Sequence, residues 1–333
     1  MKKLYICCTY YHLLISIIKS LQSNEKCDVL LTTSWNDFKL ISDKKLIEKL
    51  NKSKIFENVF IDDGILNQLK QSKKGSFKEL KKYILLKKYI RNFHINLLEY
   101  NDIYVFNYNN PSGRMINKCK IYHNLLEDGT DCFKNNKNII EGRLSLKKII
   151  KKYILRMDQL GESKYAKSVE VNDLTDVNIS NKNIIELSKK DMFDNLSDSE
   201  KKNIVSLFID DSNWLKLNNA TLIITQPFFA DAIVKTREEQ LEIYKDIIDK
   251  YGFNDKIIIK PHPRDDINYE KIIPKSNVIE EIFPIEILNF TNIKFNKVIT
   301  VSSTSVNLIY NCNEKIFLGW EWLEEWVKKY ERC

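Results

Sequence analysis

Lys256-Ile257-Ile258-Ile259-Lys260-Pro261-His262-Pro263 is a run of β-branched residues that stops abruptly at a lysine, a histidine and two prolines. A short apolar run bounded by breakers reads as a strand buried on both faces, the kind found in parallel α/β sheets. His262 then lies just past the strand's carboxyl end, where open α/β sheets bind their ligands. Pro261 and Pro263 fix φ on both sides of the histidine and remove two backbone donors, so the imidazole is presented from a stiff loop. On the spacing alone the plainer reading, a strand that merely ends in Pro-His-Pro, stays open.

The same alternation runs through the rest of the chain. Strand Leu4 to Cys8, helix Tyr11 to Leu21, strand Asp28 to Thr33, helix Phe38 to Leu50 and strand Val59 to Ile61 form the pattern of a parallel sheet with crossover helices. A basic helix near Lys78 to Leu98, strand Asp102 to Asn107, a helix near Met115 to Lys118 and strand Lys120 to Leu126 follow. From Asn135 to about Lys216 the pattern weakens to polar, mostly helical sequence. At Thr221 it restarts, with strands Thr221 to Thr225, Lys256 to Lys260, Asn277 to Glu280, Lys297 to Val301 and Lys315 to Leu318. Helices Glu238 to Tyr251, Pro284 to Asn289 and Ser305 to Asn311 alternate with them. The expected architecture is α/β: two facing Rossmann-like domains with a cleft between them, residues 1–216 and 217–333. The closing segment Gly319 to Trp326 is expected to be a helix that packs back across the cleft.

A chain of 333 residues suits two domains of ~150 residues each. Charged residues at 29% and hydrophobic residues at 43% exclude a disordered chain. Seven scattered cysteines without a Cys-x-x-Cys pair favour reduced thiols in a cytoplasm and argue against a structural metal. The eight glycines write neither G-x-G-x-x-G nor a P-loop, so those phosphate cradles are excluded as simple matches. The start, Met1-Lys2-Lys3 and an apolar stretch, is interrupted by Thr9, Tyr10, Tyr11 and His12 and reads as a first strand rather than a signal peptide. The net charge of +8 concentrates on Lys78 to Arg91 and Leu146 to Arg156. These basic amphipathic helices suit either an anionic membrane face or plain solvation. Nucleic acid is disfavoured, since no recognised binding motif accompanies the charge.

Three constellations carry chemistry. Glu127-Asp128-Gly129 follows a strand, and a carboxylate at that edge is suited to removing a proton from a hydroxyl. An acidic turn is the plain alternative, and Asp62-Asp63-Gly64 and Asp210-Asp211 are similar sequences elsewhere in the chain. Ser302-Ser303-Thr304-Ser305 closes a buried strand and opens a helix, so its hydroxyls and amides form an anion site beyond the one hydroxyl that capping needs. Lys260, His262 and these hydroxyls lie along one sheet edge and together suit one phosphate. A diphosphate leaving group more often brings Mg²⁺ and paired aspartates, so a monophosphate is the simpler fit. Glu286, opening a helix in the same domain, is placed to accept from a ribose diol, or is simply a favourable first-turn acid.

In its order of acid-acid-glycine, Lys-Pro-His-Pro, Pro-x-Glu and Ser-Ser-Thr, the chain resembles the bacterial GT-B sialyltransferases. The likeness is to the lipooligosaccharide and capsule sialyltransferases of glycosyltransferase family 52, with the polysialyltransferases as relatives. The resemblance implies an inverting, metal-independent transfer of sialic acid from CMP-sialic acid to a galactoside hydroxyl of a surface glycan, α-2,3-linked by expectation, with no cofactor. It implies Asp128 or Glu127 as general base, the choice left open, and His262 as the acid that protonates the departing CMP phosphate. Ser302, Ser303 and Thr304 would hold that phosphate, Glu286 the ribose, and Lys260, Pro263 and Gln226 would complete the donor site. Cys8-Thr9-Tyr10-Tyr11-His12 departs from the Thr-Pro-x-Gln character of the relatives. The partners expected are the CMP-sugar and a galactose-terminated acceptor, with a peripheral contact at the inner membrane face and a homodimer as further options. The alternatives are another nucleotide-sugar donor in the same family, or a non-catalytic protein that binds glycans or anionic surfaces.

Overall fold

The computed structural model describes residues 1–33, 39–62, 78–108, 110–129, 161–175, 177, 179, 183–210, 213–252 and 255–330. The second basic segment, Leu146 to Arg156, and Asp63, Gly64 and Asp211 of the two similar acidic sequences lie outside them. The chain divides into two compact units, Met1–Leu196 and Ser197–Cys333.

The first unit is a seven-stranded, all-parallel sheet. Its strands are β1 (Lys2–Cys7), β2 (Lys26–Leu31), β3 (Val59–Ile61), β4 (Asp102–Val105), β5 (His123–Leu126), β6 (Ala166–Val171) and β7 (Ile184–Glu186). They run in the order β3-β2-β1-β4-β5-β6-β7, so the chain reverses its direction of travel between β1 and β4. That is the doubly wound order, with its topological switch point between those two strands. Successive side chains of a strand face opposite sides, so β1 buries Leu4 and Ile6 with Leu30, Ile103, Val105 and Leu125 in one core. Helix α1 (Tyr10–Leu21) buries Leu13, Leu14, Ile17 and Ile18. Each such side chain contributes about 1.5–3 kcal/mol on burial.

The second unit repeats the plan with four parallel strands, β8 (Ala220–Ile224), β9 (Ile257–Lys260), β10 (Phe295–Thr300) and β11 (Cys312–Phe317), in the order β11-β10-β8-β9. Its switch point lies between β8 and β10. The Ile257-Ile258-Ile259 run is buried throughout although β9 ends the sheet, the segment at Val278 bridging to Ile259 on its outer side. Ile223, Ile259, Ile299 and Val301 pack with Ile243, Tyr244 and Ile247 of the helix Arg237–Tyr251. The C-terminal helix Gly319–Tyr330 adds Leu323 to this same core, and its Trp326 Nε1–H donates to Asp246 at 2.6 Å. No helix among the described residues is long and apolar enough to cross a membrane.

Several local expectations change. The stretch read as helical and polar after residue 135 contains β6 and β7. β6 carries Lys167 and Glu170 among its apolar residues, and β7 is a three-residue, half-exposed end strand, so neither shows a clear period. The expected helix from Phe38 is two pieces, Lys39–Ser42 and Lys44–Ser53, because Asp43 caps the second through the Leu46 N–H at 3.0 Å. The expected strand Asn277 to Glu280 is only an isolated bridge, Val278 to Ile259, after a 3₁₀ turn. Pro284 to Asn289 and Ser305 to Asn311 are 3₁₀ turns, Ile285–Phe290 and Thr304–Leu308, rather than α-helices.

Candidate active site

At the carboxyl edge of the first sheet, three strand ends bring polar groups together at the switch point. Beyond β1, Thr9 sits in extended backbone and caps α1, its hydroxyl accepting the His12 N–H at 3.1 Å. This fixes His12 in the first turn, where its ring is fully buried at 0% exposure and lies flat on Phe106, centroids 4.1 Å apart. His12 Nε2 donates to Asp128 Oδ1 beyond β5. Asn107, beyond β4, donates through Nδ2 to the other oxygen, Oδ2, at 2.7 Å. The Asp128 side chain nevertheless keeps 30% exposure.

The far side of the His12 ring meets Cys8, whose backbone N–H donates to Nδ1 at 3.3 Å and whose thiol lies 3.4 Å away. Burial disfavours a charged ring, but the neighbouring Cys8 and Asp128 favour it more and raise the His12 pKa to about 10. The Cys8 N–H pulls the other way, because it only donates and opposes a second proton on Nδ1. In the neutral and the charged ring alike, Nε2 carries the hydrogen that Asp128 accepts. Asn110 joins Cys8 to the neighbouring loop: its Nδ2 donates to Cys8 Sγ at 3.1 Å, its Oδ1 accepts the Gly113 N–H at 2.6 Å and its own N–H donates to Asn107 Oδ1 at 3.2 Å.

The second sheet presents Gln226 beyond β8, His262 beyond β9 and Ser302 beyond β10 along one carboxyl edge. His262 is half-buried and held by two bonds. Its N–H donates to Thr225 Oγ1 at 3.0 Å, and its Nδ1 accepts the Arg264 N–H at 3.1 Å. A backbone N–H only donates, so in the neutral ring the proton sits on Nε2. Thr225 in turn donates to Asp265 Oδ2 at 2.6 Å, which also accepts from Tyr269 OH at 2.7 Å and Gln240 Nε2 at 3.0 Å. Burial pushes the Asp265 carboxyl above its ordinary range, against the lowering effect of these donors. The family model described as glycosyltransferase family 52 matches residues 36–317, most of the chain.

The chain belongs to glycosyltransferase family 52. It is 30% identical over 226 residues to an uncharacterized protein of Haemophilus influenzae, covering 67% of this chain and 68% of that one. In fold it is similar to the Methanocaldococcus jannaschii UDP-GlcNAc 2-epimerase, solved with UDP-GlcNAc and UDP. The TM-score is 0.50 at 15% identity, covering 99% of this chain and 92% of that one. The two parallel sheets and this likeness are those of a GT-B glycosyltransferase fold with two Rossmann-like units.

The family 52 site residues expected from the sequence fall into groups. Asp128 and Glu127 point to different surroundings. Glu127 is buried and accepts the Asn172 N–H at 2.7 Å, tying the end of β5 to the end of β6, whereas Asp128 is the half-buried carboxylate held by His12 and Asn107. In the second unit Lys260 is buried and turned along the sheet, its Nζ donating to the Glu281 carbonyl at 3.1 Å over the Phe283 ring. It therefore anchors the segment that leads to the buried Glu286. Pro263 is exposed beside His262. Ser302 and Ser303 are half-buried and Thr304 exposed. The hydroxyls of Ser303 and Ser305 lie 2.6 Å apart, and the Ser303 N–H donates to Thr300 Oγ1 at 3.2 Å. The expected α-helical N-terminus at these serines is thus a strand-end turn into a short 3₁₀ segment, and the row of free helix-start amides expected of the anion site is not formed.

His12, Asn107, Thr225 and Asp265 were not among the expected residues. His12 and Asn107 carry a signal in retrospect, since each is a polar residue within a few positions of a strand's carboxyl end. Nothing in the sequence pairs either with Asp128. Among the described residues no group of three or more His, Cys, Asp or Glu side chains is placed to hold a metal ion.

Proposed function

We propose that this family 52 glycosyltransferase moves sialic acid from CMP-sialic acid to a galactoside hydroxyl of a surface glycan, with inversion and without a metal. The observation that carries the reading is Asp128: a carboxylate at a switch point, gripped on both oxygens yet still 30% exposed. In this scheme Asp128 takes the proton of the acceptor hydroxyl. The hydroxyl oxygen attacks the anomeric carbon of sialic acid, the bond from that carbon to the phosphate oxygen breaks, and CMP leaves with the electron pair. His262 serves the leaving group, since Nε2 is its donor nitrogen, and Ser302, Ser303 and Gln226 share its sheet edge. Thr304, Pro263, Lys260 and Glu286 are proposed to shape the donor site around them. Asp128 is favoured over Glu127 as the base, because Glu127 is buried and engaged in holding two strand ends together.

The test is CMP release from CMP-sialic acid, dependent on lactose or N-acetyllactosamine and persisting in EDTA. Asp128→Asn should lower turnover ~100-fold or more, as for loss of a catalytic acid or base, while Glu127→Gln stays within a few-fold wherever it folds. No release with any galactoside acceptor would refute the donor and acceptor assignment, and turnover of a UDP-hexose instead would move the assignment to that donor.

A further inference from the structure

We propose that His12 and Asn107 are positioning residues for Asp128: together they hold its carboxylate in one orientation for the incoming hydroxyl. This rests on the reading of Asp128 as the base. His12 is 0% exposed and touches no surface a sugar can reach, so any part it plays is exerted through Asp128. A carboxylate has two acceptor oxygens and no donor when ionised. Here His12 Nε2 takes one oxygen and Asn107 Nδ2 the other, 2.7 Å away. The ring is itself immobilised, stacked on Phe106, with its own N–H bonded to Thr9 and its Nδ1 against Cys8. The two donors come from different strand ends, so the carboxylate is fixed by the sheet and not by its own loop.

The titratable groups that lie against the pair are Cys8 at the end of β1 and Tyr11 on α1, whose ring centroid is 6.4 Å from that of His12. Removing a donor leaves the Asp128 side chain to rotate away from the orientation the hydroxyl needs.

The experiment is steady-state CMP release with lactose as acceptor, in the full chain. His12→Ala should lower kcat by about 10–100-fold, the scale of a misplaced catalytic group, with the KM for CMP-sialic acid little changed. His12→Gln, which keeps an N–H near the Nε2 position, should recover much of the lost kcat. Asn107→Asp keeps the acceptor for the Asn110 N–H but sets an oxygen against Asp128 Oδ2, and should also lower kcat with KM little changed. If His12→Ala fails to fold, the other two variants decide. A substrate-free reading is the nitrogen NMR titration of the four histidines, in which Asp128→Ala should lower the His12 pKa. Normal kcat in the folded His12 and Asn107 variants, with Asp128→Asn inactive, would overturn the positioning role and leave the base standing. Full activity in Asp128→Asn would instead overturn the base, and the positioning role with it.

Discussion

Replacing Asp265 by alanine removes the acceptor that ties together four pieces of the second unit. Its carboxylate takes the Thr225 hydroxyl at 2.6 Å, the Tyr269 hydroxyl at 2.7 Å, Gln240 Nε2 at 3.0 Å and the Ile267 N–H at 3.2 Å. Thr225 and Gln240 are 0% exposed and Tyr269 1%, so water does not readily replace the lost partner. Gln240 retains two other acceptors, the Gln226 carbonyl and Tyr269 OH. Tyr269 is left with a buried O–H and no acceptor, and Thr225 with only the Tyr244 hydroxyl oxygen beside it, at up to about 1–3 kcal/mol apiece. Against this, the variant no longer carries the cost of an ionised carboxyl that burial already disfavours. The net expectation is a loss of about 2–4 kcal/mol. Asp265→Asn, which keeps one acceptor oxygen, should lose about half as much.

Urea unfolding followed by tryptophan fluorescence suits the measurement, because Trp214, Trp320, Trp322 and Trp326 all lie in the second unit. The midpoint should fall with an unchanged denaturant slope, the sign of lost stability rather than an altered unfolded state. An Asp265→Ala protein within ~1 kcal/mol of the parent would show that these buried hydroxyls find other acceptors, and the account of the network would be wrong. A second consequence concerns chemistry. Thr225 accepts the His262 N–H, so loosening the network loosens the mount of the histidine proposed to serve the leaving group.

Two further outcomes are expected. His123 is fully buried, donates from Nδ1 to the Ile121 carbonyl and accepts Tyr108 OH at Nε2; burial lowers its pKa from 6.5 to about 4. The folded state thus resists a proton that the unfolded chain accepts, so stability is full above pH 6.5 and is lost as pH falls from 6.5 towards 4, by about 3 kcal/mol. Denaturant unfolding across that range should show the loss in the parent and its absence in His123→Gln, and parallel pH profiles would contradict it. Gly113→Ala should be severely destabilising, because its Cβ would stand 2.1 Å from the Asn107 carbonyl oxygen and 3.0 Å from Tyr108 Cα, both backbone. The strain falls on the residue that holds Asp128, so thermal melting and transfer activity should drop together; a variant that melts like the parent would mean the 107–113 turn relaxes freely.

The sequence by itself determined the class of fold and the strand ends that carry the candidate site residues. Buried runs such as Ile257 to Ile259 admit only a strand covered on both faces, and a parallel sheet aligns its carboxyl ends whatever the loops do. Asp128, His262, Gln226 and Ser302 were therefore legible as strand-end residues before any coordinates. β6 and β7 were not legible, because a short strand broken by Lys167 and Glu170 and a half-exposed end strand lack a clean period. Nor were the 3₁₀ turns after Pro284 and Ser303, where tertiary contacts set the turn in place of local propensity. Only the tertiary structure separates the surroundings of Glu127 from those of Asp128. Neighbouring side chains on an extended chain point opposite ways, and which way meets His12, Asn107 and solvent depends on strands far away in sequence. The grip on Asp128 spans residues 12, 107 and 128, and the mount of His262 spans 225, 240, 265 and 269. Such groups meet because β1, β4 and β5, or β8 and β9, lie side by side in a sheet, a pairing that no local pattern of residues records.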